Sequence, residues 1–222
     1  MQLDCRQHPI PKMATLGRRM LIPALRHYYP RAWLWHAVWS RPGLPADARH
    51  PFGAAFAGVC GRRHATLTGS AGTALCLWLT RQRLPPGTGV LLHPYTHVNI
   101  IRALLAGGYR PVFADISVPT LSLDLTAAKE RLDPNVRVLL WTHLFGIISD
   151  MSAAAAFAQQ YHLHFVEDVS QAVGCYWNKR PVGSFGTAAI ASCAGLKPCA
   201  TIRGGVLLDD QLPVGEPPAA IF

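Results

Sequence analysis

Apolar and polar positions alternate with two different periods along most of this chain. From residue 50 onward, short apolar runs of strand length are separated by longer segments with helical spacing. Strands are expected at His64–Thr68, Val90–Leu92, Pro111–Asp115, Val136–Trp141, Tyr161–Phe165, Ala188–Ala191 and, last, Gly204–Leu208. Helices are expected at Pro51–Cys60, from the Gly69–Leu75 stretch through about Thr80, and over Val98–Ala106, Asp124–Arg131 and Met151–Tyr161. Gly107-Gly108 would stop the third of these helices. Val136–Trp141 is nearly continuous in apolar residues, as strands covered on both faces are. Strand–helix alternation of this kind predicts an α/β fold whose sheet is mostly parallel and flanked by helices.

Residues 1–48 break the pattern. Leu16–Pro23 is basic and apolar, and Tyr28, Tyr29, Trp33, Trp35 and Trp39 follow closely. The segment is a poor signal peptide, because its apolar run is short and no small-residue cleavage site follows. Two readings stand: packing of its aromatics on the parent domain or a partner subunit, and contact with a membrane surface. The expected organisation is therefore an extension over 1–48, one domain over 49–210 and a proline-containing tail over 211–222.

Composition narrows the function classes. Half of the 222 residues are hydrophobic and 15% are charged, so a sizeable core is expected rather than disorder. No run reaches the roughly 18 apolar residues of a membrane span. The net charge of +9 suits anionic ligands. No basic run interleaved with aromatics marks a nucleic-acid module, so phosphorylated small molecules are the expected partners. The six cysteines include no C-x-x-C pair, which argues against zinc. They read as reduced, buried thiols of a cytoplasmic protein.

The candidate chemistry lies in Val166–Gly174 and Ser192–Lys197. Asp168 would close one strand, where open α/β sheets place ligand groups. Lys197 stands just past another strand. Such an acid and lysine suit pyridoxal phosphate, whose aldehyde condenses with a lysine amine as a Schiff base and whose ring nitrogen needs a carboxylate. Singly, such an Asp is more often an ordinary turn or helix cap and such a Lys a surface charge. Gly69–Leu75 would open a helix whose first N–H groups can meet a phosphate, or serve as a capped turn.

Taken in order, Gly-Thr-Ala-Leu (72–75), Tyr95-Thr96-His97, Pro111-Val112-Phe113-Ala114-Asp115-Ile116, His143-Leu144-Phe145-Gly146, Glu167-Asp168-Val169-Ser170-Gln171-Ala172-Val173-Gly174, Ser192 with Lys197, and Gly204-Gly205 resemble the DegT/DnrJ/StrS sugar aminotransferases over about residues 50–210. The resemblance implies the large domain of a fold-type I transferase dependent on pyridoxal 5'-phosphate. It implies that Lys197 carries the cofactor and shuttles protons, and that Asp168 pairs with the ring nitrogen. Gln171 would reach the ring hydroxyl. Ser192, Gly72 and Thr73 would hold the phosphate, and His97 would stack on the ring.

The reaction implied moves an amine from an amino acid, commonly glutamate, to a keto sugar nucleotide, in a homodimer. Two departures stand beside the site: Ile202-Arg203 where the family often has Gly-Glu, and Pro198 directly after Lys197. Family members continue into a smaller carboxyl-terminal domain, so the chain is expected to lack that domain. The alternative to an active enzyme is a truncated, inactive paralogue or partner subunit that keeps the fold.

Overall fold

The computed structural model of the chain describes residues 49–195, 197–199 and 203–211. The extension expected over 1–48, and the tail beyond Gln211, lie outside the described residues.

The chain enters through helix α1 (Arg49–Val59) and strand β1 (His64–Thr68), then α2 (Ala71–Arg81), β2 (Gly89–Leu92), α3 (Val98–Ala106) and β3 (Arg110–Phe113). A small ribbon follows, β4 (Ile116–Ser117) with β5 (Ser122–Leu123), then α4 (Leu125–Glu130), β6 (Val136–Thr142), α5 (Met151–Gln160) and β7 (His164–Asp168). A hairpin of β8 (Tyr176–Trp177) and β9 (Arg180–Pro181) precedes β10 (Ala188–Ser192) and β11 (Gly205–Asp209).

Seven strands form one sheet in the order β1-β11-β10-β7-β6-β2-β3. The block from β10 to β3 pairs in parallel, while β11 runs antiparallel to both of its neighbours.

Alternation along the strands divides the core between the two faces of the sheet. Val138, Leu140, Val166 and Ile190 meet Leu75, Trp78 and Leu79 of α2 and Ile100 and Leu104 of α3 on one face. On the other, Leu139, Trp141 and Phe165 meet Met151, Ala154 and Phe157 of α5. Beside them, Ala189, Ala191, Val206 and Leu208 meet Phe56 and Ala57 of α1 and Cys60 just after it. The sheet is thus covered twice, which explains why β6 is buried at every position but Arg137.

Side chains start the helices where expected. Asp124 Oδ1 accepts from the N–H groups of Thr126 and Ala127, and Asp150 Oδ1 from those of Ser152 and Ala153.

Two strand expectations change, and one hairpin is an addition. The strand placed over Tyr161–Phe165 begins only at His164. Tyr161 caps α5 and His162 takes a left-handed turn at φ 52°, so the alternating residues before His164 end a helix. The strand expected over Pro111–Asp115 is Arg110–Phe113, and β4 and β5 follow it. The β8–β9 hairpin turns on Asn178 and Lys179, both at positive φ, as a tight two-residue hairpin requires.

Candidate active site

A cleft of about 740 Å³ opens at the carboxyl ends of β6, β7 and β10, facing the start of α2. That volume suits a small-molecule ligand. Its wall brings together Asp168, Gln171, Ser192, Lys197, Gly72 and His97 from the sequence-based set.

Asp168 closes β7 and is 4% exposed. Its Oδ1 accepts from the N–H of Ser170 at 3.0 Å and from the Ser170 hydroxyl. Among the described residues no donor reaches Oδ2. The Ser170 hydroxyl also accepts from the Ser192 N–H at 2.8 Å. One serine therefore ties the acid at the end of β7 to the end of β10, and Lys197 follows from there. The Lys197 N–H donates to the Ala194 carbonyl at 3.0 Å, so the segment turns back towards the cleft.

Ser70 sets the start of α2. Its extended backbone stands before the helix, and its hydroxyl accepts from the Thr73 N–H at 3.1 Å. The Thr73 hydroxyl pairs with that same hydroxyl at 3.0 Å. Thr73 thus belongs to the cap, and Ser70, Ala71 and Gly72 form the cleft wall. Capping satisfies one first-turn N–H and leaves the helix start a positive pole for an anion.

Two glycines allow this placement. A Cβ on Gly205 would lie 2.1 Å from the Ser70 carbonyl carbon, so β11 can back onto the helix start only without a side chain. A Cβ on Gly72 would lie 2.9 Å from the Asn99 carbonyl oxygen, so this glycine also serves the packing of α2 on α3.

Gln171 is anchored by its carbonyl, which accepts from the Phe145 N–H at 2.9 Å, so its amide NH2 is the end open to a ligand. His97 is exposed and caps α3, its Nδ1 accepting from the Asn99 N–H at 3.2 Å. Its ring lines the cleft from that fixed position. Arg203 stands on the same wall, a basic residue where an acid was the family expectation.

The structure adds residues that sequence reasoning left without a role. Glu167 is wholly buried behind Asp168. It accepts from the N–H groups of Gly183 (2.8 Å), Phe185 (2.7 Å) and Gly186 (2.8 Å), and pairs with His143 Nε2 at 3.3 Å. Arg62 holds the same loop from the other side, donating to the carbonyls of Gly183 and Gly186 at 2.6 Å each. For Glu167 the available signal was an acid directly after apolar Phe165 and Val166, since buried charges require partners, whereas Arg62, among Gly61, Arg63 and His64, carried none.

His93 follows β2 and is also wholly buried. Burial pushes its imidazole below the ordinary range, while the Thr142 backbone and the Asp168 carboxylate oppose that shift. The Thr142 backbone is close without forming a well-aligned hydrogen bond to either ring nitrogen. Thr142 Oγ1 and His143 Nδ1 line the cleft region, buried and without partners. Orphaned polar atoms of this kind fit a polar ligand. With an anion-seeking helix start, a carboxylate and an amine, the donor set matches a flat phosphorylated heterocycle.

The sequence is similar to curated proteins. It is 33% identical over 156 residues to the spore coat polysaccharide biosynthesis protein SpsC of Bacillus subtilis, covering 70% of this chain and 40% of that protein. It is 31% identical over 163 residues to the GDP-perosamine synthase of Caulobacter vibrioides, covering 72% and 44%. The chain thus spans less than half the length of these relatives.

Among solved structures, DesI in the presence of its TDP-sugar product aligns with a TM-score of 0.74 at 27% identity, over 83% of this chain and 48% of that one. DesV of S. venezuelae, in complex with a ketimine intermediate, aligns at 0.72 and 29% identity, over 82% and 49%. The sequence signature of one family matches residues 43–212, more than half of the chain. By that match, and on the fold and cleft just described, the chain belongs to the DegT/DnrJ/EryC1/StrS aminotransferase family.

Proposed function

We propose that this chain carries the pyridoxal phosphate site of an aminotransferase that moves an amine from an amino acid, commonly glutamate, to a keto sugar nucleotide. The carrying observation is the convergence of Asp168, Ser192, Lys197 and the start of α2 on one cleft. Relatives named for perosamine synthesis and for a TDP-sugar product support the sugar nucleotide as acceptor.

When bound, the cofactor supplies an electron sink for carbanionic chemistry. The residues here have separable tasks. Lys197 provides the amine for covalent attachment and then carries a proton to and from the reacting carbon. Asp168, aligned by Ser170, receives the ring nitrogen's N–H on Oδ2. Gln171 offers its NH2 to the ring hydroxyl. The Ser192 hydroxyl and the Ala71 and Gly72 N–H groups hold the phosphate, with the Thr73 hydroxyl stiffening the cap behind them. His97 covers one ring face. Arg203 gives the wall a positive charge suited to a substrate carboxylate or phosphate.

The reading includes residues 49–210 as the cofactor-binding domain of a cytoplasmic homodimer. Tyr95 and Phe145, 63% and 71% exposed beside the cleft, are aromatic surface of the kind a second subunit covers. Among the described residues no helix is long and apolar enough to cross a membrane.

The test is the visible absorption spectrum of the purified protein with pyridoxal phosphate, before and after borohydride reduction. A visible band is expected, and reduction should fix the cofactor mass on the Lys197 peptide. Lys197→Ala should show neither. A folded protein without a band would overturn the proposal.

A further inference from the structure

Two cysteines bracket Lys197: Cys193 stands four residues before it and Cys199 two after. Both belong to the apolar cluster that α1 forms on the sheet, with Cys193 2% exposed and Cys199 half-buried. Both thiols are reduced, and the Cys199 side chain lies close enough to act directly on the Cys193 thiol. A disulfide requires sulfurs about 2.05 Å apart with suitable side-chain torsions. A pair already in contact needs only a small approach. Among the described residues no group of three or more His, Cys, Asp or Glu side chains is arranged to hold a metal, so the thiols are not explained as ligands.

We propose that Cys193 and Cys199 form a redox-active dithiol that hydrogen peroxide oxidises to a disulfide closed across Lys197. Cys199, the more accessible sulfur, attacks the peroxide. An S–O bond forms as the O–O bond breaks, one water leaves and a sulfenic acid remains. The Cys193 sulfur then attacks the Cys199 sulfur. The S–S bond forms, the S–O bond breaks, and the hydroxyl departs as a second water with the Cys193 proton. Two thiols are oxidised by two electrons in total while one peroxide is reduced to two waters.

Burial orders the roles. It pushes the Cys193 thiol up to about 11, which suits it to the second step rather than the first. Cys60, in the same cluster, is pushed further, to about 12, and competes poorly for Cys199.

The consequence for Lys197 rests on the cofactor reading above. Cys193 is anchored to the sheet by its N–H on the Gly204 carbonyl at 2.9 Å. Pro198 removes one torsion between Lys197 and Cys199. A cross-link from 193 to 199 therefore fixes the backbone on both sides of the lysine. The amine can no longer adjust to an arriving aldehyde, and attachment should slow on the order of tenfold or more.

The experiment treats the full chain with hydrogen peroxide, alkylates the remaining thiols and maps peptides by mass spectrometry without reduction. A Cys193–Cys199 link, reversed by dithiothreitol, absent in Cys199→Ser and kept in Cys60→Ser, is expected. A Cys60–Cys199 link, or oxidation of Cys199 without any link, overturns the pairing.

The rate of borohydride-fixed cofactor on Lys197 is then compared between oxidised and reduced protein. Equal rates overturn the regulatory consequence. If the reduced protein takes no cofactor, the functional reading fails and with it the consequence for Lys197, while the peptide map still decides the dithiol.

Discussion

Replacing Glu167 by glutamine changes one atom and one charge at a place closed to water. The carboxylate serves four donors: Phe185 and Gly186 N–H on Oε1, and Gly183 N–H and His143 Nε2 on Oε2. A glutamine keeps one acceptor, which is best placed towards Phe185 and Gly186. Its NH2 then faces the other two donors. His143 can answer by moving its proton to Nδ1 and accepting at Nε2. The Gly183 amide cannot.

One buried N–H is orphaned, at about 1–3 kcal/mol, and the three remaining bonds lose their charge assistance, each weakened by about 1 kcal/mol. Together they predict a loss of about 5 kcal/mol. In urea unfolding, with a slope of about 2 kcal/mol per molar, the midpoint should fall by about 2.5 M with the slope unchanged. A shift under about 0.5 M would show that Glu167 is not the keystone of the 183–186 loop.

Gly205→Ala would drive a Cβ to 2.1 Å from the Ser70 carbonyl carbon and 2.5 Å from the Ala71 nitrogen, backbone atoms that cannot rotate away. A loss of about 3 kcal/mol or more, together with weakened cofactor retention, is expected from thermal melts and cofactor titration. Retention of both would refute the steric account. Gly58→Ala is the control. Its Cβ meets nothing within 4 Å, so a gain of about 0.5 kcal/mol is expected on the same melts.

His93 predicts a pH dependence. The unfolded chain protonates this ring below about pH 6.5, whereas burial keeps it neutral in the fold. The unfolded state then binds more protons, so stability falls as pH drops below that value. His164, lowered by burial against Trp78, adds the same sign. His93→Leu removes no well-formed hydrogen bond. It should flatten the loss between pH 7 and 5 without lowering the midpoint at pH 8, and an unchanged slope would refute the assignment.

The fold was legible where one period dominated. β1 and α3 fall on their expected residues, and β6 extends by only Thr142. Asp168 was placed at a strand end although the strand itself was set three residues early, because apolar alternation runs through the end of α5 into β7. The antiparallel direction of β11 was not legible, since pairing direction is not encoded in one strand's own pattern. Strands of two residues, such as β8 and β9, are too short to show any period.

In the site, residue type singled out Asp168 and Lys197 as candidates but could not say which face of a turn a hydroxyl serves. Thr73 and Ser70 are both cap formers, and only packing decides which of them meets the cleft. Ser170 was invisible for a related reason. Its role depends on β10 lying beside β7, a contact between residues 22 apart in sequence.

The placement of the motif glycines separates building the site from using it. Gly146 lacks a Cβ where one would lie 2.8 Å from the Gln171 carbonyl oxygen, and Gly205 where one would strike Ser70. These are approaches of one backbone to another. Each brings a ligand-facing residue to the cleft from an element distant in sequence. Gly146 seats the turn whose Phe145 N–H holds Gln171, and Gly205 seats the helix start. Adding a side chain at either glycine should therefore move several site residues together and lower stability and cofactor retention in step. Removing Lys197 or Gln171 should change binding or turnover while leaving the fold's stability nearly unaltered, because neither side chain is part of the core. Whether stability and binding fall together or apart at a given position thus distinguishes the residues that assemble the cleft from those that act in it.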